Sequence, residues 1–379
     1  MANETDTLSK QTSVFHILEC DGGGVVKYAQ MLTPRFRDAG IRQQIVCHKH
    51  AVDSFIKEGL ITFPSPMERT LSPISILRII RQLRQKIKDS DCNIVYCHSS
   101  FAGVFGRLAA WGLKRKVIYN PHGWSFKIHS TAKVVRTMTI LVEKCLASLT
   151  DVIVCVSNSE KDDAIKHHIS NPKKLQVIEN GVDLERVKAS SKTDRQTLGF
   201  SDDDYVVGMV GRISEQKAPD TFIHAAKLIK EVIPNAVFLI VGDGEDRQTI
   251  ETYAKENNLK LSITGWVDNP YPFMKIMDVA LLLSRWEGLP LVLPEFMAAG
   301  VNVVATKIDS IAPLISDHKN GLLVDLDTPS QVRDMVLWLH DNPTEAEKIK
   351  NEAISGLDKF DISRVCEQHI ALFHNLLHS

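Results

Sequence analysis

Apolar residues in this chain gather into short runs, and between them lie longer stretches in which apolar positions return every three or four residues. The short runs stand at 13–18, 43–47, 93–97, 117–120, 152–156 and 175–178. They resume at 205–210, 237–241, 261–264, 279–283, 301–305 and 321–324. Helical periodicity fills intervals at 25–39, 74–88, 219–232 and 246–257, and it closes the chain at 362–377. Strand, helix, strand in alternation predicts an α/β protein with parallel sheets. The alternation pauses after the turn signal Glu179-Asn180-Gly181-Val182-Asp183, in the polar segment 184–204. Two domains are therefore expected, 1–185 and 186–359, with a terminal helix at 360–379 packing back on the first.

Length agrees, since 379 residues suit two domains better than one core. Composition is that of a soluble globular protein, 44% hydrophobic and 24% charged. The net charge of −1 conceals an asymmetry. Residues 1–190 carry 27 Lys+Arg against 18 Asp+Glu, and the rest carry 18 against 28. The basic half suits an anionic membrane surface or a phosphorylated acceptor. Within it, Arg78, Arg81, Arg84, Lys86 and Lys88 stripe the 74–88 helix, for lipid headgroups or as a solvated face. Nucleic acid is not expected, because no zinc-finger spacing or aromatic-rich basic motif is present. The seven cysteines are scattered without a Cys-x-x-Cys, which fits a reducing cytoplasm. The first twelve residues are polar, so no signal peptide is read there. No apolar run is long enough to cross a bilayer, so any membrane contact is expected to be peripheral, at the inner face.

Candidate chemistry clusters after the strands. Glu287 follows the 279–283 run, then the turn Gly288-Leu289-Pro290, then Glu295 on an apolar helix. In parallel sheets ligands bind beyond the carboxyl ends of strands, and carboxylates there accept hydrogen bonds from sugar and ribose hydroxyls. Gly208-Met209-Val210-Gly211-Arg212, with Lys217 five residues on, sets two cations beside a helix starting near Pro219, an arrangement that binds phosphate. The glycines there would let backbone approach a ligand. Gly22-Gly23-Gly24 offers the same at the first strand's end, without the Gly-x-Gly-x-x-Gly spacing. His122, in Asn120-Pro121-His122-Gly123, projects at the rim of the first domain or is a satisfied structural histidine. Asp202-Asp203-Asp204 precedes a strand, so it reads as a cap or loop and not as a metal site. His48-Lys49-His50 and His167-His168 lack metal-site spacing, and no metal is expected.

The chain resembles the family-4 retaining glycosyltransferases of the GT-B fold. The likeness rests on Val210-Gly211-Arg212 with Lys217, Val241-Gly242-Asp243-Gly244, Thr264-Gly265-Trp266-Val267, Glu287-x7-Glu295, Asn180-Gly181-Val182-Asp183 and Asn320-Gly321-Leu322-Leu323-Val324. It is looser at Gly22-Gly23, His98, His122 and Ser157. The resemblance implies two doubly wound Rossmann-like domains with a cleft between them, an acceptor held mainly by the first and a nucleotide-sugar donor by the second. It implies Arg212 and Lys217 at the diphosphate, Glu295 at the ribose, Glu287 with Gly288 and Leu289 at the donor sugar, and the backbone of Trp266 and Val267 at the base. Gly22 and Gly23 would close on phosphates, and His122 would line the sugar pocket. Glu287, His122, Arg212 and Lys217 are thus the catalytic candidates. No cofactor or metal is implied, the nucleotide sugar (a UDP-sugar is expected) being a substrate. The reaction implied is retaining hexosyl transfer to a glycan or lipid-diphosphate-linked acceptor in surface polysaccharide synthesis, in the cytoplasm. The family's usual glycine pair and glutamate after the 301–305 strand are replaced by Lys307-Ile308-Asp309-Ser310-Ile311-Ala312-Pro313-Leu314, which bears on donor geometry. The alternatives are an epimerase on the same fold and a catalytically silent, sugar-nucleotide-binding regulatory subunit.

Overall fold

The computed structural model describes residues 12–20, 22–67, 72–128 and 132–378. The chain divides into two units, one built from Met1–Gly181 with Ile362–Ser379 and the other from Val182–Asp361. Each is an α/β unit around its own parallel sheet.

The first sheet has seven strands among the described residues: β1 (Ser13–Leu18), β2 (Arg42–Cys47), β3 (Ile61–Pro64), β4 (Ile94–His98), β5 (Lys116–Asn120), β6 (Val152–Cys155) and β7 (Leu175–Val177). They lie in the order β3-β2-β1-β4-β5-β6-β7, all parallel. The chain winds outward from β1 to β3, returns to β4 and winds outward again. Right-handed crossovers then put helix Gly24–Asp38 on one face and helices Pro73–Asp89, Ser100–Ala110 and Lys133–Ala147 on the other. β1 and β4 are buried along their whole length, as a sheet covered on both sides demands.

The second sheet has six strands: β8 (Tyr205–Val210), β9 (Ala236–Val241), β10 (Leu261–Ile263), β11 (Val279–Leu282), β12 (Asn302–Thr306) and β13 (Leu322–Val324). Their order is β10-β9-β8-β11-β12-β13, again parallel. Winding reverses between β8 and β11, which share only the pairs Val279–Val207 and Ala280–Gly208. A doubly wound sheet opens a crevice at such a reversal.

The pattern reading missed β3. Its burial is mixed and its partner strand covers one edge only, so it carries no continuous apolar run. The last helix, Ile362–His378, packs on Gly24–Asp38. There Phe373 meets Phe36 edge-on at 5.3 Å, and Tyr96 Oη lies 2.9 Å from His369 Nε2.

Gly208, read as room for a ligand, lies within β8 and is packed against the protein instead, as are Gly242 and Gly244 after β9. A Cβ on Gly208 would strike Met277, at 2.5 Å, so its bareness serves packing. One on Gly242 would sit 2.0 Å from the Gly211 carbonyl oxygen, and one on Gly244 2.2 Å from that of Ile213. Bonds from Gly211 N to Val241 O (3.0 Å) and Ile213 N to Asp243 O (2.9 Å) join the same loops. The glycines therefore let two strand-end loops lie backbone to backbone. Gly242→Ala, which also meets a φ of +150°, should cost about 2–4 kcal/mol of second-unit stability. A urea melt with an unmoved midpoint would refute this packing role.

Candidate active site

Of the second unit's candidate residues, Arg212, Lys217, Glu287, Gly288 and Leu289 sit where its winding reverses, whereas Trp266 and Val267 follow the edge strand β10. Beyond β8 the chain turns through Glu215–Lys217, passes Ala218 in a left-handed conformation (φ +50°), and enters helix Pro219–Val232. Beyond β11 it runs through Arg285-Trp286-Glu287. These two loops are fastened together. Arg285 N donates to Gln216 O (2.8 Å), Gln216 Nε2 to Trp286 O (3.0 Å), and Arg285 Nη1 to Glu215 O (2.9 Å). The Arg285 guanidinium also grips Asp220 (2.6 Å) and Asp327 (2.8 Å). On this frame Lys217 Nζ donates to Glu287 Oε1. The side chains are only 17% and 8% exposed, so the pair is shielded more than a surface ion pair would be.

Arg212 is exposed just past β8, on the same strand end as the Lys217 turn. Gly288 is half-buried, and the Leu289 side chain is buried, which leaves backbone as what that residue can offer. Glu295 lies in helix Val292–Ala298 at 2% exposure and accepts from Tyr271 Oη (3.2 Å), so it is held by its own partner. Trp266 stands beyond β10, 62% exposed, beside the half-buried Val267. In the atypical segment 307–314 no residue has a positive φ, and Ile311, fully buried, pins the turn through Ile311 N to Ile308 O (3.0 Å). Glycine is thus not needed to make that turn. Asp204 caps a loop, accepting from Ser201 N and Lys260 Nζ (2.8 Å each), in keeping with the loop reading of Asp202–Asp204.

In the first unit Gly22 and Gly23 follow β1, with Gly23 at φ +78° opening helix Gly24–Asp38; Asp21 lies outside the described residues. His122 follows β5 in a left-handed conformation (φ +53°), which costs a non-glycine residue about 1–2 kcal/mol. It ends a row of imidazoles. His122 Nε2 lies 3.1 Å from His98 Nδ1, and His98 Nε2 lies 3.2 Å from His16 Nδ1. Each neutral ring gives one proton and accepts one, so the three tautomers are coupled. Burial lowers the pKa of His16 and His122 to about 3 and that of His98 well below its ordinary value. His369, lowered by burial to about 4, has Nδ1 2.9 Å from the Val365 carbonyl, which can only accept. Its Nε2 is therefore the acceptor for Tyr96.

Glu160 fixes the loop that carries His122. It accepts from Gly123 N (2.7 Å) and Val156 N (2.6 Å), and its carbonyl accepts from Trp124 Nε1 (2.8 Å). Burial pushes its carboxyl up to about 7, against those two backbone bonds. Sequence reading missed Glu160, although Ser157-x-x-Glu160 is a capping-box pattern. It also missed Gln216 and Arg285, whose partners lie about seventy residues away and leave no local signal.

Two family models match the chain, that described as glycosyl transferases group 1 over residues 190–355 and that of glycosyltransferase family 4 over 22–186. An Escherichia coli protein, UDP-Gal:alpha-D-GlcNAc-diphosphoundecaprenol alpha-1,3-galactosyltransferase, is 33% identical over 76% of this chain and 78% of its own. The chain is a family 4, group 1 glycosyltransferase. A second relative of this glycosyltransferase, the putative EpsD of Bacillus subtilis, is 26% identical over 81% of this chain and 82% of its own. Among solved structures, Anabaena HepE in complex with UDP and glucose superimposes with a TM-score of 0.83 at 17% identity, over 96% of this chain and all (100%) of its own. Sucrose-phosphate synthase of Thermosynechococcus elongatus gives 0.81 at 17% identity, over 97% and 99%. Both likenesses place the fold of this glycosyltransferase in the GT-B class.

The histidine row, with His369, should make the glycosyltransferase's first unit acid-labile. A histidine whose folded pKa is depressed adds stability that is complete above its unfolded value near 6.5 and is lost as pH falls. His16, His98, His122 and His369 should each remove up to about 1.4 kcal/mol per pH unit below about 6.5. Glu160, raised, works in the opposite sense between its unfolded value and about 7, where it stabilises as pH falls. The net expectation is a first-unit urea midpoint that drops from pH 6.5 to 5, with a shallower slope in His122→Asn. A midpoint flat across that range would show the row is not buried and neutral.

Proposed function

We propose that this glycosyltransferase moves a hexose from a UDP-sugar to a lipid-diphosphate-linked glycan, with retention at the anomeric carbon and without a metal. The observation that carries the reading is the shielded Lys217–Glu287 pair on two fastened loops at the winding reversal of the second sheet. The name of the Escherichia coli relative supports a UDP-sugar and an undecaprenol-linked acceptor for that protein. HepE, solved with UDP and glucose, supports the donor class.

In this reading the bond from the anomeric carbon to the diphosphate breaks, its electron pair passing to the phosphate oxygen. The acceptor hydroxyl oxygen bonds to that carbon on the same face and gives its proton to the departing phosphate oxygen. Negative charge grows on the diphosphate, and Lys217 and Arg212 are the cations for it. Lys217 has three donors and spends one on Glu287, which aims the others. Glu287 balances positive charge on the sugar, with backbone of Gly288 and Leu289 beside it. Glu295 serves the ribose hydroxyls, with Tyr271 orienting its carboxylate, and the backbone of Trp266 and Val267 meets the base. Gly22 and Gly23 offer N–H groups to phosphate oxygens, and His122 a ring nitrogen to a sugar hydroxyl.

Preorganised cations at developing charge are worth about 3 kcal/mol each, or about a hundredfold in rate. Lys217→Ala and Glu287→Ala should each lose that much in transfer from a UDP-glucose and UDP-galactose panel to membrane extract. Near-wild-type turnover in either variant rejects the assigned roles. An inverted anomeric product by NMR rejects retention, and activity abolished by EDTA rejects metal independence.

A further inference from the structure

Helix Lys133–Ala147 turns the wrong face outward for a helix of a soluble protein. Val134, Val135, Met138, Leu141 and Val142 are between 40% and 74% exposed, and Cys145 is exposed with them. At 3.6 residues per turn these six fill one arc of about 120°. Such an arc ordinarily faces the core. Here the inward positions are Glu143, Leu146 and Ala147.

Charge on this helix is sorted as sharply. Its one acid, Glu143, is buried and bound to the fully buried Arg107 at 2.8 Å, with Tyr119 Oη donating to it at 3.0 Å. The arc's flank therefore keeps Lys133 and Lys144, both exposed, and no carboxylate from this helix, while Arg136, also exposed, stands on the azimuth of Glu143 and Ala147. Lys133 and Lys144 border the apolar arc on one side. Thr137 and Thr139 donate back to the carbonyls of Lys133 and Val135 (3.0 and 2.9 Å), so their hydroxyl protons are already used.

We propose that this face seats the first unit on an anionic lipid surface. Aliphatic side chains would enter the acyl boundary while the ammonium and guanidinium groups stay among headgroup phosphates. A second copy of the chain fits less well, because a two-fold contact through this face would set like charges together. Helix Pro73–Asp89 lies on the same side of the sheet and adds exposed Ile74, Leu77, Arg78 and Arg81 at its start. In that helix Arg84 instead donates to Ala109 O (3.0 Å) and Lys86 sits 4.3 Å over the Phe63 ring, so only part of its basic stripe is free for lipid. Helix Lys133–Ala147 begins past the carboxyl edge of β5, the edge that carries His122. A bilayer docked there lies beside that edge, where a lipid-linked acceptor would arrive. The inference deepens the acceptor reading and rests on it for its purpose, but its test needs no turnover.

The test is co-sedimentation of the purified chain with phosphatidylglycerol/phosphatidylethanolamine vesicles and with phosphatidylcholine vesicles. Binding should favour the anionic vesicles and weaken at about 0.5 M salt. Met138→Glu with Leu141→Glu should reduce it by about tenfold or more, as should Lys133→Gln with Lys144→Gln. Both variants should keep the wild-type melting curve and UDP affinity. Three results would overturn the proposal: no vesicle binding, binding undiminished in the double glutamate variant, or a solution dimer that this variant dissolves. Vesicle binding without sugar transfer would reject the proposed reaction and leave the surface standing.

Discussion

A lysine and a glutamate seventy residues apart in the chain form one shielded ion pair, and the candidate chemistry of the second unit depends on it. Alone, the pair would be two flexible side chains competing with water. It is held because the two loops beneath it are joined by backbone and side-chain bonds from Arg285 and Gln216. Arg285 is itself locked by Asp220 and Asp327. A buried cation needs its partner, and a partner on a separate loop needs that loop fixed. The bonds around Arg285 supply the fixing.

The sheet supplies the location. Winding reverses between β8 and β11, so the loops leaving their carboxyl ends diverge and leave room above the sheet. The same reversal between β1 and β4 puts Gly22, Gly23 and His98 at one edge of the first unit. The two units thus solve the same problem differently. One sets charged groups at its reversal, and the other sets neutral imidazoles, kept neutral by burial.

Buried ionic groups in this chain also serve ends other than chemistry. Arg107 and Glu143 hold two helices together inside the first unit and, in doing so, remove the only acid from an exposed apolar helix. Packing within the core and charge on the surface are decided by the same pair.

Much of this was legible in the residues. Apolar runs and helical periods fixed the α/β class and all strands but β3, because a parallel strand buried on both faces must be apolar along its length. Residue types at strand ends singled out Lys217, Arg212, Glu287 and His122 as candidates, and the fold sets Lys217 against Glu287. What tertiary structure alone decided were relations between distant segments. Nothing local to Arg285, Gln216 or His16 marks them, because their partners are set by strand order, and strand order is not written in any one window. Gly208 shows the limit from the other side: its place before Gly211 and Arg212 suggested room for a ligand, and the fold uses that room for the Met277 side chain. Whether the bare face of a glycine or the apolar face of a helix looks inward or outward depends on what packs against it, and only the folded chain supplies that neighbour.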